Sequence, residues 1–211
     1  EDIKTLDLSN HNLETVEYDK WQELGCKLSH CQQLINLDLS GNQIFKFSND
    51  QLFNAGGAIG LWLSYLNPAS LAIKKFPFAE SATLYKYCPL THLNLGFNGL
   101  FERCTTGWAE VKILFQRCHE LKSLSLDGNR LRKLNTEDWL ALGDALSPCR
   151  NLTHLSLRFN SLNLAETETW AAIGDALAKL ENLTNLNLSG NELLLIEDND
   201  WLKLLIKKTY Y

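Results

Sequence analysis

Apolar residues fall in this chain in a fixed frame, with polar residues filling the gaps. Leu90, Leu93, Leu95, Asn98 and Leu100 spell apolar-x-x-apolar-x-apolar-x-x-Asn-x-apolar, and the frame restarts at Leu121, Leu152 and Leu183, each 31 residues on. Upstream, Leu34, Leu37, Leu39, Asn42 and Ile44 fit it fully, and Ile3, Leu6, Leu8 and Leu13 fit it with His11 in the asparagine slot. A fixed period of this length means a solenoid of stacked turns rather than a globular arrangement of separate elements. Leu34 and Leu90 are 56 residues apart, one short interval of 25 and one of 31, which predicts a further start at Ile59. In that frame Trp62 takes the second apolar slot and Asn67 the asparagine slot, but Ser64 occupies the third apolar slot. The frame therefore predicts seven turns, the second shortened.

The apolar-x-apolar pair has period two, which is a short strand with one face buried. Copies of it stack as a parallel sheet. An asparagine just past the strand offers two amide donors and a carbonyl to turn backbone that no sheet partner reaches. Asn42, Asn67, Asn98, Asn129, Asn160 and Asn191 are thus read as a structural ladder. Trp21, Trp108, Trp139, Trp170 and Trp201 each lie 18 residues after a repeat start, and apolar residues follow Trp21, Trp139 and Trp170 at +3 and +7. That spacing is one face of a helix, so the tryptophans are read as core. Thr136-Glu137-Asp138 and Thr167-Glu168 precede two of them and are read as N-caps with acidic first turns.

A repeat of strand, turn and helix with this spelling resembles the ribonuclease-inhibitor-like class of leucine-rich repeats, over essentially the whole chain. The resemblance implies an α/β solenoid shaped as a horseshoe, with a parallel sheet on the concave face, helices on the convex face, and protein ligands on the concave face or its rim. Residues 1–211 are read as a single such domain, with an irregular repeat pair at 45–89 and an N-terminal flank expected ahead of Glu1. Near-uniform repeats lacking cysteine-pair caps are also similar to leucine-rich-repeat effectors of intracellular bacteria. That likeness implies delivery to a host cytosol and binding of a host protein or another effector.

Composition narrows the partners. Net charge is −5 with both signs spread along the chain, and no basic stripe suits a nucleic acid. No run of 18 apolar residues suits a bilayer. Cys31, Cys118 and Cys149 lie three residues before a repeat start, in a slot that Leu180 also fills, so they are read as buried apolar positions. With no C-x-x-C pair among the six cysteines, reduced thiols and a cytoplasmic setting are expected. Gly56-Gly57 to Gly60 lacks the lysine and context of a phosphate loop, and His30/Cys31 with Cys118/His119 make no ligand set of four. No nucleophile, base and orienter can be assembled outside the repeat frame, so the expectation is a non-enzyme without cofactor or metal.

Information about a partner must then sit in the non-core slots. The third, fifth and seventh slots face outward and are mostly short and polar. The eighth slot is small in four turns (Asn10, Gly41, Gly128, Gly190) but is Phe97 and Phe159 in two others. His92 and His154 hold the third slot of those same two turns, Arg158 adjoins Phe159, and Asp127 lies on the turn between. Like positions two strands apart are about 10 Å apart at about 4.8 Å per strand. Aromatic and arginine anchors at this spacing suit a protein interface. A packing role, each phenylalanine folded over its asparagine turn, is the competing reading. The stretch from Phe45 to Tyr87 is rich in aromatics, and Tyr65 and Tyr85 are its candidate contacts. The expected activity is non-catalytic binding of a protein, by a chain monomeric alone and heteromeric with its ligand. Two alternatives remain open. One is a eukaryotic-type enzyme inhibitor or small-GTPase regulator, with Arg103 or Arg130 as a catalytic arginine. The other is the binding part of a larger enzyme such as a ubiquitin ligase.

Overall fold

The computed structural model describes residues 3–16, 33–43, 90–100 and 118–195, with single positions 20, 23, 24, 27, 31 and 115. Within them lie six strands: β1 Thr5–Asp7, β2 Asn36–Asp38, β3 His92–Asn94, β4 Ser123–Ser125, β5 His154–Ser156 and β6 Asn185–Asn187. They form one parallel sheet in chain order. The central strand residues Leu37, Leu93, Leu124 and Leu155 are at most 3% exposed, while their strand neighbours are half-buried or exposed, as period two requires. At the ends of the described array Leu6, Leu8, Leu186 and Leu188 are only partly buried, since a turn in a stack buries its apolar face against its neighbours.

One expectation is corrected. Asn36 of β2 pairs directly with His92 of β3, across the 56-residue interval. Leu39 N donates to Asn94 O (2.9 Å), Gly41 N to Gly96 O (2.9 Å), and Asn42 N to Asn98 Oδ1 (3.2 Å). No strand from the Ile59 frame stands between β2 and β3, so among the described residues the sheet has six strands rather than seven. The physical reason is visible in that frame: Ser64 would put a hydroxyl in the slot where the inner turns bury Leu39, Leu95, Leu126 and Leu157. Residues 44–89, with Asn67, Tyr65 and Tyr85, lie outside the described residues, as do Trp21, Trp108, Trp201 and Arg103.

The asparagine ladder links each turn to the one before it. Asn160 Oδ1 accepts from Asn129 N (2.8 Å) and Leu131 N (3.2 Å), while its Nδ2 donates to Leu126 O (3.0 Å) and to Leu157 O (2.9 Å). Asn42, Asn98, Asn129 and Asn191 repeat this with their own preceding turns. All five are at most 1% exposed, and a buried amide is tolerated there because its hydrogen-bonding groups are occupied.

Two helices are described in full: α1, Thr136–Leu146, and α2, Thr167–Ala178. Trp139, Leu142 and Leu146 on one, and Trp170, Ile173 and Leu177 on the other, join the strand leucines in a single core. The helices therefore cover the buried face of the sheet. The N-caps differ from the sequence reading. Asn135 caps α1 and forms a reciprocal capping box with Asp138, so Thr136 is already inside the helix. Glu166 occupies the cap position of α2 with no side-chain bond, and Thr167 is likewise the first helical residue. Asparagine is as good a cap as threonine, and it lies one residue earlier. Cys118 and Cys149 are buried in the core, Leu180 in the equivalent slot is 5% exposed, and Cys31, Cys118 and Cys149 form no disulfide among the described residues.

Candidate partner-binding surface

Past each strand the chain must reverse direction around the buried asparagine. It does so with left-handed backbone on both sides of it. The eighth-slot residues have φ of 55° (Asn10), 69° (Gly41), 56° (Phe97), 60° (Gly128), 55° (Phe159) and 72° (Gly190). Glycine adopts this conformation freely, and asparagine tolerates it. Phenylalanine does not: each Phe there costs on the order of 1–2 kcal/mol.

The rings also have a defined place. A methyl group built on Gly128 would come within 2.3 Å of Phe97 Cδ1, and one on Gly190 within 2.3 Å of Phe159 Cδ1. Each ring thus lies across the glycine of the following turn, not across its own asparagine turn. Asn10 lies over Gly41 in the same way. With β2 beside β3, the eighth slot alternates strictly along the sheet: side chain, glycine, side chain, glycine, side chain, glycine. The Phe97 and Phe159 rings meet at a centroid distance of 6.3 Å and an angle of 38°. Even so, Phe97 remains 50% exposed and Phe159 49%. Packing on the next turn accounts for half of each ring and leaves the other half in water.

Arg158 is fixed from three sides. Its backbone N donates to Asp127 Oδ1 (2.8 Å), its Nε donates to Ser189 Oγ (2.9 Å), and its guanidinium carbon stands 4.8 Å from the centre of the Phe159 ring. Asp127 Oδ1 also accepts from Ser156 Oγ (2.6 Å), so Asp127 serves to hold Arg158 and β5. The structure therefore brings Phe97, Asp127, Arg158 and Phe159 together at the turn that follows β3, β4 and β5. The two histidines stay apart from them. His92 and His154 are exposed at the start of β3 and β5, each with Nδ1 2.8 Å from the hydroxyl of the preceding threonine, Thr91 or Thr153. Ring contact joins phenylalanine to phenylalanine; among the described residues none joins either to its histidine. Arg130 stands exposed at a left-handed position (φ 62°) on the β4 turn.

The sequence reading missed Ser189, which holds Arg158, and the role of Gly128 and Gly190 as seats for the rings. It also missed a hollow of about 380 Å³ over β1 to β4, lined by Asp7, Asp38, His92 and Asn94. Both aspartates there are engaged locally. Ser9 hydrogen bonds, the hydroxyl first and the backbone second, lower the Asp7 pKa, and Asp38 accepts from Ser40 N (2.8 Å) and Asn94 Nδ2 (2.9 Å). Among the described residues no group of His, Cys, Asp and Glu could hold a metal ion, and no helix is long and apolar enough to cross a membrane.

A parallel sheet one strand per turn, an asparagine ladder and helices over the buried face together define a leucine-rich-repeat fold. No family model matches the chain, and no curated protein matches it. Among solved structures it is similar to the leucine-rich repeat-containing protein LegL7 from Legionella pneumophila, with a TM-score of 0.54 and 22% identity. The match covers 97% of this chain and 62% of that one, so this chain spans less than two thirds of its neighbour's length. That likeness shows the fold.

Proposed function

We infer that the chain is a non-catalytic module that binds a protein partner through the turn-side rim of its sheet, centred on the turns after β3 to β5. One observation carries this reading. At two of six eighth-slot positions the protein holds a half-exposed phenylalanine in a backbone conformation that favours glycine, and glycine stands at three of the other four. Strain retained at an exposed position calls for a use, and half of each ring is not used by packing. A guanidinium stacked beside the rings completes a set of anchors of the kind that dominates protein interfaces.

The test is affinity capture from lysate followed by mass spectrometry, then titration of the recovered partner. Phe159→Ala and Arg158→Ala should each weaken binding by about 2 kcal/mol, on the order of thirtyfold, while the melting transition stays cooperative. If both bind like the parent and Tyr65→Ala or Tyr85→Ala abolishes binding, the interface lies on the irregular stretch instead. A finer form of the reading, an effector acting on a host protein or another effector in a reducing cytosol, rests on the repeat style. It requires the captured partner to be such a protein.

A further inference from the structure

We propose that the Arg158 guanidinium is a receptor for a partner carboxylate, so that this rim selects a protein segment carrying an acidic residue next to an apolar one. The proposal rests on the protein-binding reading and names the chemistry of what is bound. A guanidinium has five N–H donors in a planar fork. The Nε donor is held by Ser189 Oγ, and that hydroxyl in turn donates to Asn187 Oδ1 (2.8 Å), so the serine is oriented to accept. The ring of Phe159 fixes the position of the group's face. Among the described residues the four donors on the two Nη nitrogens have no protein partner. The acidic side chains of the adjacent turns are engaged elsewhere: Asp127 with Ser156 and Arg158 N, Glu192 with Asn163 Nδ2 (3.3 Å). A fork already positioned loses little freedom when it pairs with a carboxylate, and bidentate pairing is its natural geometry.

The apolar half of the selection comes from the rings. At 6.3 Å between centroids they are in contact, so no side chain enters between them. They form a ridge, continued over Gly190, that spans the turns of β3 to β6, about 14 Å at about 4.8 Å per strand. About four extended residues cover that length. A segment with an aliphatic or aromatic side chain laid on the ridge places a neighbouring Asp or Glu at the Arg158 fork.

The probe is a set of labelled ten-residue peptides with a central Leu-Phe pair flanked by Glu, by Gln or by Lys, titrated by fluorescence anisotropy. The Glu series should bind at least about tenfold tighter than the Gln series, and the Lys series weakest. Arg158→Gln should erase the Glu-over-Gln preference, and Arg158→Lys should restore only part of it, since lysine keeps the charge but not the fork. Equal or reversed order, a Glu preference that survives Arg158→Gln, or no binding by any series overturns the proposal. A captured partner that is lost with Phe97→Ala plus Phe159→Ala but kept with Arg158→Gln would leave the protein-binding surface standing and remove the carboxylate receptor.

Discussion

At the scale of single residues, the eighth slot couples neighbouring turns through one side chain and one missing side chain. Gly128 is constrained twice, by its φ of 60° and by the Phe97 ring over it. Gly128→Ala should therefore cost about 2 kcal/mol, from left-handed backbone strain together with ring displacement. Phe97→Ala removes the ring but not the backbone term. In a double-mutant cycle followed by chemical denaturation, the pair should cost less than the two single changes together, by at least about 0.5 kcal/mol. Strict additivity would mean that the ring does not rest on the glycine. The phenylalanines themselves were legible in the sequence as departures from a small-residue slot. Their left-handed backbone was not, because a single chain displays residue types and not dihedral angles. The alternation was hidden for a different reason: a repeat counted from Ile59 would put Leu66 in the eighth slot, between Gly41 and Phe97, and break it.

At the scale of elements, the contact between α1 and α2 reverses an ordinary propensity rule. Gly143 lies inside α1, where replacing glycine with alanine usually stabilises a helix by about 1 kcal/mol. Here a Cβ on Gly143 would stand 2.7 Å from Ala176 Cα and 3.0 Å from Ala176 O, both backbone atoms of α2. Backbone cannot swing aside as a long side chain can. Gly143→Ala should destabilise by about 1–2 kcal/mol, with overpacking outweighing propensity, and a thermal melt showing a higher midpoint would refute the close approach. The helices were legible from the tryptophan slot and its +3 and +7 companions, and Trp139 and Trp170 are each 1% exposed. Their first residues were not. Asn135, Thr136 and Asp138 all have cap chemistry, and only the backbone bond from Asp138 N to Asn135 Oδ1 (2.9 Å) decides which one caps.

At the scale of the whole molecule, the 31-residue period made the sheet legible, and the 56-residue interval made its count ambiguous, because an insertion and a weak extra turn have the same length. That Cys31, Cys118 and Cys149 form no disulfide among the described residues leads to a simple check on the whole chain: alkylation under denaturing, non-reducing conditions should modify all six cysteines, and a mass showing disulfides would overturn the expectation of a reducing setting. The ladder carries a sharper expectation, because it has a direction. Each asparagine's Oδ1 accepts from backbone amides of the turn before it, and its own backbone N–H donates to the asparagine Oδ1 of the turn after it. Asn129 N and Leu131 N donate to Asn160 Oδ1, whereas Asn160 N and Leu162 N donate to Asn191 Oδ1. In Asn160→Ala the lesion should therefore run towards the N-terminus. Amide hydrogen exchange should speed up at Asn129 and Leu131, while Leu162 and the distant Asn42 keep most of their protection, since stability in a stacked array is a sum of nearest-neighbour terms. The total loss should be about 1–3 kcal/mol, the cost of leaving buried amide groups without partners. Equal acceleration at Leu131, Leu162 and Asn42 would show that the array opens as one unit, and that the asparagines do not couple turns pairwise.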